Sequence, residues 1–367
     1  MARDLRTSQS KAKPVHWVAP AQSIFSHRET VMKHRLALRG VLSLAVSLML
    51  SAGAQAQAFR TYLSGSGSDA NPCTLAAPCR LLPAAIAAVV SGGEVWMLDS
   101  ANYNSGPVNV DKSVTILAVP GALGSVVALG GNAINIATAG VKVALRNLVI
   151  VPYVGGGGIH GIMMSAGASL TVEKCLVANL PQIGIQVRAN GASVLVMDSV
   201  IRGNGGIGLA ITDGARATVT RSTFSGNGGS GVYVVGAVAG TTTIDITDST
   251  MDGNAVGVSA YSVDASAVVR VSVRNSQVVR NSLYGFHAES ITGATTLSVS
   301  HNVISNNNNG IVASGTGTKV WASSNTVSDN VTGLVNEGSA LFESAGDNAV
   351  RNNGTDASAG ISTIAKM

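Results

Sequence analysis

The sequence predicts an all-β chain: a solenoid of stacked strand-and-turn coils with one short helix capping its N-terminal end. Three observations carry that expectation. A phrase recurs in which an apolar residue is followed three positions on by an asparagine, and soon afterwards by a glycine with an apolar follower. Its asparagines are Asn179, Asn204, Asn227, Asn254, Asn281, Asn306, Asn330 and Asn353, spaced 23 to 27 residues apart. Units of that length bury their apolar faces only by stacking on one another. Between these landmarks apolar residues alternate, as in Thr243-Ile244-Asp245-Ile246-Thr247-Asp248 and at Val269, Val271 and Val273, which is the period of a strand and not of a helix. The chain of 367 residues also holds 43 glycines, with 4% aromatic and 12% charged residues. Tight turns around a narrow aliphatic interior need little else.

Within each unit the asparagine is expected at a corner, because it tolerates left-handed backbone angles and its amide bonds neighbouring backbone. Stacked amides would form a ladder. The glycine, as in Gly208-Leu209 and Gly231-Val232, returns the chain to the next strand where a side chain would crowd the bend. This repeat resembles those of the right-handed parallel β-helices of the pectate-lyase-like superfamily. The resemblance implies a single right-handed parallel β-helix over most of the chain. It does not imply one activity, since that superfamily holds lyases, hydrolases, epimerases and adhesins. With a coil rise of roughly 4.8 Å, the asparagine coils would extend about 40 Å.

Taken from the start, residues 1 to 31 have little periodicity and read as an upstream mis-start. Met32 opens a basic stretch, Met32-Lys33-His34-Arg35, followed by the apolar run Val41 to Leu50 and the small residues Ala52 to Ala58. These are the parts of a signal peptide over 32–58, too short to span a membrane comfortably, and they predict a secreted or periplasmic protein. Of 24 Lys and Arg, 8 precede residue 57, and of 19 acids 2 do, so the remainder carries 16 − 17 = −1. The basic balance belongs to the leader, and nucleic acid is not an expected partner. In an oxidising compartment Cys73 and Cys79, in a proline-bounded loop, are expected to pair, leaving Cys175 as a buried small hydrophobe in a strand. Residues 59–130 read as the N-terminal cap and first coils. The alanine-rich stretch from Arg80 to Val90, with an early proline and Gly92-Gly93 after it, predicts the capping helix. Residues 131–367 are the β-helix.

In a stacked solenoid, residues at one position of successive coils become neighbours, so a site should form a column. Six residues before three consecutive ladder asparagines stand Asp198, Arg221 and Asp248. These are the catalytic candidates, by comparison with the arginine that takes a proton beside calcium-binding carboxylates in β-helix lyases, but the favoured reading is a charge-compensated ladder on an exposed face. Beyond each returning glycine the first residue should point inward and the second outward. That places Tyr233, Tyr261, His287 and Glu289 on one outer face, with Arg188 and Asp213 nearby, as binding candidates for a sugar chain. No cofactor, metal-ligand spacing or nucleophile motif is found, and the closely spaced carboxylates of a glycoside hydrolase are missing. The expectation is an exported, monomeric β-helix that engages polysaccharide or the cell envelope as a binding or structural module. A polysaccharide lyase, hydrolase or epimerase, and an adhesin-like rod contacting protein, are the alternatives.

Overall fold

A computed structural model of the chain describes residues 58–365. The expected mis-start and the signal peptide lie outside the described residues, save Ala58 at the latter's end. Every strand pairing among the described residues is parallel, and the strands fall into three sheets, here A, B and C. Sheet A has 13 strands and sheets B and C have 11 each. One winding illustrates the rest: Ile185–Val187 in sheet C, Ser193–Met197 in A, Val200–Arg202 in B, then Leu209–Thr212 back in C. The chain is a right-handed parallel β-helix, in line with the handedness that strand twist imposes on such crossovers.

The period-2 alternation becomes an inside and an outside. In sheet A, Val172, Val196, Val219, Ile246, Val273 and Val299 stand in register down the interior, each almost wholly buried. Phe224, Phe286 and Phe342 fill the interior where aliphatics would leave gaps. At the N-terminal end a helix over Leu82–Ala88, with a proline in its first turn, buries Leu82, Ala85 and Ile86. It accepts a hydrogen bond from Thr61 through the Ala85 carbonyl, closing the end of the stack that would otherwise expose apolar interior. Cys73 and Cys79 are joined by a disulfide in the loop beside the first strand.

Two corners of each winding are built alike. At the B-to-C corner a residue in the left-handed region is followed by a buried asparagine whose Oδ1 accepts two bonds from the preceding coil. Thus the Asn227 N–H and Nδ2 both donate to Asn254 Oδ1, at 3.0 and 2.9 Å, while Asn254 Nδ2 reaches back to the Phe224 carbonyl at 3.1 Å. The ladder runs through Asn204, Asn227, Asn254, Asn281, Asn307, Asn330 and Asn353. Two expected members are corrected. Asn306 and Asn179 are not rungs but the left-handed residues just before the rung position, at φ 59° and 61°; Asn307 is the rung after the first, and Leu180 occupies that place after the second, donating its N–H to Asn204 Oδ1. The expected division of labour is corrected with them. The strained angle belongs to the preceding residue, often glycine as at Gly203, Gly226 and Gly253, and the asparagine supplies the ladder.

The returning glycines are required by packing. A Cβ on Gly208 would sit 2.5 Å from the Gly231 carbonyl oxygen, and one on Gly257 2.5 Å from that of Gly285. The A-to-B corner holds a second ladder that the repeat phrase does not reveal. The N–H groups of Cys175, Ser199, Ser222 and Ser249 donate to the hydroxyls of Ser199, Ser222, Ser249 and Ser276 in turn. Asn302, Asn325 and Asn348 continue it. Cys175 is buried at its first rung, and burial pushes its thiol up to about 12.

Candidate functional site

The strand pairings decide which side chains share a face. Down sheet C, Ala210, Tyr233, Ser259, His287 and Val312 are register partners in consecutive coils, and beside them run Thr212, Val235, Tyr261, Glu289 and Ser314. Both columns face outward, as the alternation after each returning glycine predicts. Tyr233, Tyr261, His287 and Glu289 therefore come together over three coils.

Tyr261 lies diagonally over His287, its hydroxyl 2.7 Å from His287 Nδ1, with the rings edge to face at 5.3 Å. Tyr233 packs against Tyr261 at 5.5 Å. Tyr284, which the sequence reading passed over, packs against His287 at 4.6 Å. Tyr284 precedes Gly285, where strict alternation would set it on the inner side with Phe286, so counting from the glycine does not find it. Under these rings His287 is only 8% exposed. Its Nε2 stands 3.9 Å from Glu289 Oε2, too far for a hydrogen bond but close enough to feel the charge. Two coils along the same column Glu337 accepts a bond of 2.6 Å from the Ser314 hydroxyl.

Burial holds the His287 imidazole below its ordinary range, opposed by Glu289 and Glu337. Burial, helped by Glu289 and Tyr233, pushes the Tyr261 phenol up to about 12, and burial raises Tyr233 as well. At neutral pH the pair is thus phenol and neutral imidazole. With the ring proton on Nε2, facing the carboxylate, Nδ1 accepts from the phenol O–H; with it on Nδ1 the two roles reverse. The arrangement offers hydrogen-bonding groups at fixed positions between aromatic rings. A general base would want a pKa near the working pH, and both groups are moved away from it.

Arg188 and Asp213 are not part of this cluster. They pair with one another at 3.8 Å at the turn leading out of sheet C, where Asp213 holds φ 57° and accepts from Thr212. Asp198, Arg221 and Asp248 occupy the left-handed position of the A-to-B corner in consecutive coils, at φ 50°, 46° and 52°. Arg221 grips Asp198 with two bonds of 2.8 and 3.1 Å. Each group is thereby held in its charged form: the Asp198 carboxyl is lowered by Arg221, and the Arg221 guanidinium is raised by Asp198 and further by Asp248. That is the reverse of what an arginine acting as a base requires. No group of three or more His, Cys, Asp or Glu residues suited to a metal ion occurs among the described residues. Shallow surface hollows lie against Lys142 and Thr171 on sheet A and against Ser324 and Asp347 in the last coils. The aromatic cluster is only partly exposed: Tyr233, Tyr261, Tyr284 and Glu289 are half-buried, and their column neighbours Ser259 and Val312 are buried.

A family model for the right handed beta helix region matches residues 146–245. The likeness is to the right-handed parallel β-helix fold. Solved structures with this β-helix include the complex of XylC with xylose, at 8% identity and a TM-score of 0.55 over 76% of this chain and 70% of that one. The catalytic domain of Agl-KA is similar at 14% identity and 0.54, covering 77% of this chain and 64% of that one. The A-module of the mannuronan C-5 epimerase AlgE4 from Azotobacter vinelandii is similar at 11% identity and 0.52, covering 75% and 91%. At these identities the likeness is one of fold. No curated protein matches the sequence. Among the described residues of this β-helix no helix is long and apolar enough to cross a membrane.

Proposed function

We propose that this protein is an exported polysaccharide-binding β-helix, and that the outer face of sheet C around Tyr261 and His287 contacts the sugar chain. The observation that carries the reading is the tyrosine–imidazole contact at 2.7 Å, held among Tyr233, Tyr284 and Glu289. Aromatic faces beside a carboxylate and a neutral imidazole match the alternating apolar and hydroxyl faces of a pyranose. Proteins of similar fold, a mannuronan C-5 epimerase and a protein in complex with xylose among them, support a carbohydrate ligand without naming one. Export is supported by the leader-like stretch over residues 32–58.

The test is retention on a panel of immobilised polysaccharides, followed by titration of the glycan retained. Tyr233→Ala and Tyr284→Ala are expected to weaken binding by roughly tenfold, as truncation of an aromatic anchor does, with little change in melting. Failure of every glycan to bind overturns the reading and leaves the adhesin-like rod. Release of unsaturated uronides, new reducing ends or epimerised residues would replace it with an enzyme.

A further inference from the structure

We propose that the outer face of sheet A is a second binding surface, for an extended acidic polysaccharide that carries one carboxylate per disaccharide and lies along the solenoid axis. The starting observation is how the arginines are spent. Arg60, Arg146, Arg188, Arg221 and Arg280 each have a carboxylate partner. The side chains of Arg216, Arg270 and Lys319, exposed on sheet A, make no hydrogen bond or ion pair. These three belong to one column. Register partners run Arg216, Thr243, Arg270, Thr296, Lys319 through consecutive coils, so a cation recurs every second coil with a hydroxyl between.

Two coil rises make about 9.6 Å, close to the length of an extended disaccharide. An acidic sugar would then meet a cation while its neutral partner meets Thr243 or Thr296. Arg274, also exposed and unpaired, lies on the same strand as Arg270 and points to the same side, adding positive charge at the middle of the run. Asp245 is the acid on this face between the coils of Arg216 and Lys319, in the column beside Thr243. At the far end Trp321, 42% exposed, is a register neighbour of Ser298 beside Lys319, and its indole N–H is tethered to Glu343 Oε2 at 2.6 Å. A ring fixed in orientation beside a lysine suits a sugar ring that bears a carboxylate. The fork of arginine suits the planar carboxylate itself. The surface is independent of the sheet C cluster, and either can fail without the other.

The experiment measures binding of the full chain to hyaluronan oligosaccharides, which carry one carboxylate per disaccharide, at low and moderate salt. Uncharged chitin oligosaccharides and a DNA duplex serve as comparisons. The expected result is hyaluronan binding that weakens as salt rises, and a loss of about tenfold or more in the triple variant Arg216→Gln, Arg270→Gln, Lys319→Gln. Asp245→Asn, which removes the opposing charge, should tighten binding by about two- to threefold. Arg202→Gln, at an exposed cation on sheet B that belongs to neither surface, should leave both effects in place. The proposal is overturned if hyaluronan does not bind, if the triple variant binds as tightly as the unaltered chain while melting at the same temperature, or if the DNA duplex binds more tightly through the same three residues.

Discussion

Asn307 and Asn306 are adjacent in sequence and opposite in role, so one pair of substitutions tests the corner design. Asn307 is 3% exposed. Its Oδ1 accepts from the Asn281 N–H at 3.0 Å and from Asn281 Nδ2 at 2.9 Å, and its Nδ2 donates to the Val278 carbonyl and to Asn330 Oδ1, both at 3.0 Å. In Asn307→Ala the Asn330 oxygen keeps its bond from the residue 307 N–H. The Asn281 N–H and one hydrogen of its amide lose their acceptor inside the stack. A buried donor left unmade costs about 1–3 kcal/mol, so the substitution is expected to cost about 2–6 kcal/mol. For a chain of this size that lowers the melting temperature by roughly 3–9 °C. Asn306, by contrast, is exposed, holds φ 59° and makes one side-chain bond, to Ser305. Asn306→Gly should melt within about 2 °C of the unaltered protein, because glycine adopts that angle freely. Differential scanning calorimetry of the two variants reads both outcomes. Equal shifts, or an Asn307→Ala protein melting like the parent, would refute the ladder as a source of stability.

Two further outcomes follow from groups whose titration burial has moved. His287 is held below its ordinary value by burial, so the unfolded chain takes up its proton first. Its contribution is complete above about pH 6.5, and it diminishes as pH falls from there toward the lower folded value. His160 is shifted in the same direction by burial, so the informative quantity is the difference between parent and His287→Gln. The variant should lose part of the decline in stability below pH 6.5, read by urea unfolding at a series of pH values; identical slopes would count against a buried neutral imidazole. Cys175, with its thiol pushed up to about 12 by burial, should resist an aromatic disulfide reagent in the native protein and react once in urea. Cys175→Ser should fold normally, since serine holds the following rungs at Ser199 and Ser222; rapid native labelling would contradict the burial.

The fold was legible because its signals repeat. Period-2 alternation and a phrase returning every 23 to 27 residues leave few architectures open, and counting outward from the glycines placed Tyr233, His287, Tyr261 and Glu289 on one face. What escaped did so for local reasons. Asn306 to Asn309 form an unbroken run, so composition could not say which of them turns inward; the hydrogen bonds select Asn307. The second ladder is made largely of serines, which are equally at home on an exposed strand, so Ser199, Ser222, Ser249 and Ser276 gave no signal. The contact of Tyr261 with His287 is diagonal between coils and depends on the direction each ring takes. Arg188 and Asp213 lie near the cluster in sequence register, yet the turn leading out of sheet C directs them to each other.

The two surfaces obey one geometric constraint. Backbone pairing fixes the coil rise at roughly 4.8 Å, so any side chain repeated in a column is repeated at that interval or a multiple of it. Inside the stack the constraint is cooperative: an amide repeated at the coil spacing bonds both neighbours, which is why asparagine can be buried at six consecutive rungs before the half-buried Asn353 ends the ladder. Outside, the same spacing makes like charges neighbours, and the chain avoids this by alternation. Arg221 stands between Asp198 and Asp248 at the corner, and on sheet A threonine separates Arg216 from Arg270 and Arg270 from Lys319. In the first case the intervening residue neutralises the column. In the second it leaves the charge standing, with a repulsion across about 9.6 Å that salt screens and that the proposed linear anion of matching repeat would offset further.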